Sequence, residues 1–175
     1  EEIISNIRLM IAGGINEPRD GIGIVVSDLC GPRSAMQAEL MDNNNNWMPY
    51  VTELFRLHPP VAKADRQITQ EVELGGITLP KGEIIASIYS SANRDEEHYA
   101  HSSEFDLQRQ DKQHFSFGYG QHECLGRWLG TREVIAGARH LIKRLKNLRI
   151  HPDEKLEFYG FEFRGPRRLR MCWDV

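Results

Sequence analysis

Ten residues, Phe117-Gly118-Tyr119-Gly120-Gln121-His122-Glu123-Cys124-Leu125-Gly126, constrain this chain more than any other stretch. They run directly into an apolar helical stripe: Leu125, Trp128, Leu129, Ile135, Ala138, Leu141, Ile142 and Leu145 recur at helical spacing from Cys124 to about 146. A cysteine is thereby set at the mouth of a helix, where unpaired N–H groups and the positive dipole end favour a thiolate. Glycines on both sides let the backbone approach something flat and large. Phe117 can pack beside the sulfur, and His122 offers a donor to a carboxylate. A thiolate presented in this way is a suitable axial ligand for haem iron. A buried inert thiol or a zinc site using His114, His122 and Cys124 fits less well, because zinc ligands come in closer pairs.

The rest of the chain reads as further helix with short strands. Residues 1 to about 31 form one long helix on the spacing of Ile3, Ile4, Ile7, Met10 and Ile11, resuming at Ile22, Ile24, Val25, Val26 and Leu29. Pro18 predicts a kink, and Gly31-Pro32 ends the element. A short helix over 34–41, a polar Asn loop, and a helix from Trp47 to Leu57 stopped by Pro59-Pro60 follow. Strands are expected over 61–80, with Gly75-Gly76 as a hairpin turn, and an apolar segment over 84–90. Residues 92–117 carry little periodicity, and such long loops are usually functional or disordered. Short strands are expected at 148–150, 156–159 and 169–173.

At this point the sequence resembles the cytochrome P450 family of bacterial type. Its haem signature F-x-x-G-x-[H/R]-x-C-x-G is matched by Phe117, Gly120, His122, Cys124 and Gly126, with Gly118 inside it. Glu53-Leu54-Phe55-Arg56 matches the family's E-x-x-R, 71 residues before Cys124, and the i,i+3 spacing puts both side chains on one helical face. Phe105 to Arg109 resembles its F-x-x-x-R loop. The resemblance implies a structural triad of Glu53, Arg56 and Arg109 that locks the cysteine loop. It also implies Cys124 as the iron ligand, with Arg66 and His122 on the haem carboxylates.

Gly13-Gly14-Ile15-Asn16-Glu17 stands where the family's distal helix carries [A/G]-G-x-[D/E]-T. Gly13 and Gly14 fit the room needed for O2. Asn16 and Glu17 replace the usual acid–alcohol pair, which leaves Glu17 as the candidate proton relay.

The implied fold class is mainly α with small β-sheets, the C-terminal half of the cytochrome P450 fold. Residues 1–175 would form a haem-thiolate domain fragment whose N-terminal half is absent. The start at Glu1, inside an amphipathic pattern, agrees with a piece of a longer chain. The implied activity is a haem-thiolate monooxygenase inserting one oxygen atom from O2 into an organic substrate. Hydroxylation or O-demethylation of a small aromatic ether would be its form. The cofactors are haem b (iron protoporphyrin IX) and O2, with electrons ultimately from NAD(P)H. A peroxide-driven peroxygenase and a non-catalytic haem-binding fragment are the alternatives.

Charge divides unevenly along the chain. The net charge is -3, yet residues 121–150 hold seven Arg or Lys against two Glu. Arg132, Arg139, Lys143 and Lys146 share one helical stripe, suited to an acidic ferredoxin or a flavin/iron-sulfur reductase. The substrate is expected to be small and hydrophobic or aromatic. The near-neutral balance gives no reason to expect nucleic acid. No apolar run is long enough to span a membrane, and three cysteines show no disulfide framework, so a cytoplasmic setting is expected. The remaining histidines, His58, His98, His101, His114, His140 and His151, are expected in loops or on helix exteriors, with none in the chemistry.

Overall fold

The computed structural model describes residues 1–175. It contains α1 (Glu2–Leu29), α2 (Met36–Asp42), α3 (Trp47–Leu57), β1 (Ala64–Gln67), β2 (Val72–Leu74), β3 (Ile77–Leu79), β4 (Ile84–Ser87), α4 (Tyr89–Ala92) and α5 (Arg127–Arg144). The tail adds β5 (Arg149–Ile150), β6 (Phe158–Tyr159), β7 (Gly165–Pro166) and β8 (Met171–Cys172). All strands pair antiparallel in four two-stranded sheets, β1 with β4, β2 with β3, β5 with β8 and β6 with β7. No helix is long and apolar enough to cross a membrane.

The core forms where three helices meet. Ile24, Val25, Val26 and Leu29 of α1 pack with Tyr50, Val51, Leu54 and Phe55 of α3 and with Val134, Ala138 and Ile142 of α5. Small residues set the closeness of approach. A Cβ on Gly21 would stand 2.7 Å from Val134 Cγ2 and 3.0 Å from Phe55 Cζ, so α1 can lie this near α5 only with glycine there.

The two halves of α1 differ completely. Residues 1–16 are exposed, while 24–30 are buried. Ile3, Ile4, Ile7, Leu9, Met10, Ile11 and Ile15 therefore form an apolar stripe with nothing against it.

The helix is continuous through Pro18, as the expectation of one long helix over 1–31 requires. The missing Pro18 donor costs one bond in a helix of 28 residues, whose C-terminal half is held by packing. The second long helix begins at Arg127, three residues after Cys124, because a 3-10 turn at Gly120–His122 and the bend at Glu123 occupy the preceding chain. The first part of its expected stripe faces outward: Leu125 is 100% exposed, and Trp128 and Leu129 are each 64% exposed. The stretch 92–117 has no regular element beyond the end of α4, yet it is packed, with Asn93, Tyr99, Ser102, Arg109, His114 and Ser116 all buried.

Candidate haem-thiolate site

Glu53 and Arg56 lie on one face of α3, as their spacing requires, and both are almost wholly buried. Arg56 donates from Nη2 to Glu53 Oε1 (2.8 Å) and from Nε to Oε2 (2.9 Å). Arg109 Nε donates to Glu53 Oε1 at 3.1 Å, and the Asp106 N–H joins at 3.0 Å. The two guanidinium groups spend their other N–H groups on main chain. Arg56 reaches the carbonyls of Asn93 (2.7 Å), Ser102 (2.6 Å) and Glu104 (2.9 Å). Arg109 reaches those of Ala100 (2.7 Å), His101 (3.2 Å) and Glu104 (3.2 Å). One carboxylate thus organises two cations, and together they gather the irregular stretch 93–109 onto α3. Burial alone would raise the Glu53 pKa; hydrogen bonds from Arg56, Asp106 and Arg109 outweigh it and hold the carboxyl below its usual range.

A second set of bonds continues from that stretch into the cysteine loop. Asn93 is fully buried; its Oδ1 accepts from Phe115 N (2.7 Å) and its Nδ2 donates to Ser116 Oγ (2.9 Å). Ser116 Oγ in turn donates to the Phe55 carbonyl on α3 at 2.7 Å. His114 is buried beside Phe117, and its Nδ1 accepts from Ser116 N at 3.2 Å. Burial pushes the His114 pKa down to about 4, helped by Arg127 and opposed by Glu53. His114 lies in a loop, as expected, and is buried there; Asn93 and Ser116 were not singled out from the sequence. An Asn and a Ser in an aperiodic loop carry no signal until their main-chain partners are known.

Within the loop, Phe117 packs on Phe55, with ring centroids 6.2 Å apart. Gly118 and Gly120 take φ of 74° and 75°, the left-handed region where a side chain is strained. That turn brings Cys124 N back to the Phe117 carbonyl at 2.8 Å. Cys124 is free and exposed, and Gly126 is close enough that a Cβ there would lie 3.8 Å from Cys124 Sγ. His122 is exposed at the end of the 3-10 turn, and Arg66 is exposed on β1. Arg66 reaches the loop through Tyr89, whose hydroxyl is 3.4 Å from Arg66 Nη2.

On α1, Gly13, Gly14 and Asn16 are exposed, and nothing lies within 4 Å of a Cβ added at either glycine. Glu17 is partly buried, and its Oε2 is enclosed without a hydrogen-bond partner. Burial raises its pKa, and Asp20 adds to this against the Glu17 backbone N–H and Arg19. On α5, the cations Arg132, Lys143 and Arg144 are exposed, and Arg139 is partly buried with Nε unpartnered; Lys146, expected on the same helical stripe, is exposed just beyond the helix end at Arg144. Only Arg127 and Arg149 of this basic region are in ion pairs, with Glu123 and Asp174.

These residues fit a haem. No three His, Cys, Asp or Glu side chains converge as a metal site, so His114 and His122 do not assemble zinc with Cys124. An iron held by the lone Cys124 thiolate must bring its remaining ligands with it, as a porphyrin does. The glycine-lined turn, the Arg66 guanidinium without a carboxylate, the exposed His122 imidazole as a donor, and the open apolar surface of Leu125 and Leu129 suit a flat, apolar, dianionic ring.

The cytochrome P450 family model matches residues 37–162. The plant-inducible cytochrome P450-pinF1 of Rhizobium radiobacter is 35% identical over 153 residues, 87% of this chain and 36% of that protein. The mycinamicin VIII C21 methyl hydroxylase of Micromonospora griseorubida is 30% identical over 176 residues, 99% of this chain and 45% of that protein. Among solved structures, CYP109E1 of Bacillus megaterium in complex with corticosterone superposes with a TM-score of 0.90 at 25% identity, over 99% of this chain and 47% of that one. The chain spans less than half the length of these relatives. The matched stretch runs from α2 past the cysteine loop into the C-terminal strands, and on this extent of likeness the chain belongs to the cytochrome P450 family.

Proposed function

We propose that this chain carries the haem-thiolate centre of a monooxygenase. The observation that carries the reading is the Cys124 loop: a free, exposed thiol whose backbone is tied to Phe117, following the left-handed glycines Gly118 and Gly120 and near Arg66, a cation with no carboxylate of its own. Haem, when bound, supplies the iron at which O2 is reduced by two electrons and one oxygen atom is passed to a substrate C–H bond.

The chain's residues do the rest. Cys124 would hold the iron as a thiolate and supply electron density to it. Arg66 and His122 hold the carboxylates of the ring by charge-assisted hydrogen bonds. Glu53, Arg56 and Arg109 fix the loop that aims Cys124, through Asn93, Ser116 and Phe55. Gly13 and Gly14 leave open space on the opposing helix. Glu17, with its enclosed Oε2 and with Asn16 beside it in sequence, would relay protons toward the reaction; burial raises its pKa.

Electrons originating from NAD(P)H would arrive through an acidic ferredoxin or a flavin/iron-sulfur reductase seated on Arg132, Lys143 and Lys146. The substrate is a small hydrophobic or aromatic molecule, with O-demethylation of an aryl ether as one outcome, and the setting is the cytoplasm.

The enclosed, unpartnered Glu17 carboxyl also suits a second reading, peroxide-driven turnover without an electron partner. The haem-loaded chain supplied with a model aryl ether, NADPH and a ferredoxin–reductase pair should incorporate label from 18O2 into product. Incorporation only from labelled hydrogen peroxide would replace the first reading by the second. Haem uptake with neither activity would leave a non-catalytic haem-binding fragment.

A further inference from the structure

Arg66 is a cation without a carboxylate. Its neighbour Asp65 is occupied by Lys63, whose Nζ lies 2.7 and 2.8 Å from the two Asp65 oxygens. Arg66 Nη1 is left with the Asp65 carbonyl at 2.8 Å, and Nη2 with the Tyr89 hydroxyl at 3.4 Å. Tyr89 opens α4 and is partly buried between two parts of the site. A Cβ built on Gly118 would meet the His122 carbonyl at 3.4 Å and the Tyr89 hydroxyl at 3.7 Å. The Tyr89 hydroxyl therefore stands where the Arg66 strand meets the cysteine loop.

The chemistry of that hydroxyl is directional. A guanidinium can only donate, so the phenol oxygen accepts from Arg66 and the phenol proton stays uncommitted. A phenol polarised by a cation is a stronger donor, and an anion is the acceptor that gains most from it.

We propose that Tyr89 is a third donor, beside Arg66 and His122, to a carboxylate of the bound haem, held in position by Arg66. The inference rests on the haem reading of the Cys124 loop and adds to it a residue outside every motif of the sequence. The φ of 74° at Gly118 disfavours a side chain there, and a Cβ would only touch the Tyr89 hydroxyl.

The test is haem retention and not turnover. The haem-loaded chain, its Tyr89→Phe variant and a Tyr159→Phe control on an exposed tyrosine are mixed with excess apomyoglobin, and haem transfer is timed. Loss from Tyr89→Phe should be about tenfold faster, as removal of a hydrogen bond to a charged group implies, and the control should match the parent. The carboxylate bending band in resonance Raman should shift in Tyr89→Phe alone, a change that a merely looser fold would not produce. On an Arg66→Ala background the same substitution should change haem loss by less than threefold. Unchanged haem loss and an unmoved band in Tyr89→Phe would overturn the inference and leave the haem reading intact. A parent chain that takes up no haem would overturn both.

Discussion

The α3 side and the haem side of this molecule are built on opposite principles. Around Glu53 the polar groups are buried and paired: one carboxylate serves two guanidinium groups and a main-chain N–H, and the guanidinium groups bind five main-chain carbonyls. Around Cys124 and the front of α1 the groups are exposed or unpartnered. Cys124 is free, Arg66 lacks a carboxylate, Glu17 Oε2 has no partner, and the apolar stripe from Ile3 to Ile15 is open. The satisfied region is a frame that sets positions. The open region holds the groups proposed to bind haem or act beside it. Of them only Glu17 Oε2 is enclosed without a partner, a state that costs free energy and that it shares with Trp47 Nε1 and Arg139 Nε.

Removing the centre of the frame should have the largest effect. Glu53→Ala strands two buried cations, and a loss of about 3–5 kcal/mol is expected in chemical denaturation. A loss below about 1 kcal/mol would show the triad to be a solvated ion pair, and the comparison would collapse.

Acid should weaken the frame through His114. Its pKa of about 4 in the fold lies below the value near 6.5 expected of an unfolded chain. The unfolded state then binds the proton more tightly, so stability is full above about pH 6.5 and is lost as pH falls toward 4. The lowered pKa of Glu53 acts in the same direction at lower pH. His114→Gln should flatten the fall between pH 6.5 and 4, measured as the denaturation midpoint against pH; an unchanged slope would remove His114 from the frame.

The two halves of α1 give the sharpest contrast at equal chemistry. Ile24 is 1% exposed, and Ile24→Ala should cost about 2–5 kcal/mol. Ile11→Ala, on the open stripe, should stay within about 0.5 kcal/mol in the isolated chain. Equal losses at the two positions would mean that the open half is packed in solution.

What could be read from the sequence follows the same division. Glu53, Arg56, Arg109 and the Cys124 loop were legible because their motifs resemble those of the cytochrome P450 family, and the i,i+3 spacing alone puts Glu53 and Arg56 on one helix face. The helix over 47–57 was bounded correctly because Pro59-Pro60 stops it. Two things were not legible. The start of α5 is delayed by the 3-10 turn, which has no apolar period. Asn93, Ser116 and Tyr89 act through main-chain partners and a neighbouring strand far away in sequence, and periodicity holds no record of such partners.

The central claim is that Cys124, held by its loop, ligates haem iron as a thiolate. The absorbance spectrum of the ferrous carbon monoxide complex tests it most directly. The haem-loaded chain should give a strongly red-shifted Soret band, and Cys124→Ser should lose it while still binding haem. An unshifted band in the unsubstituted chain, or a shifted band that survives Cys124→Ser, would contradict the account.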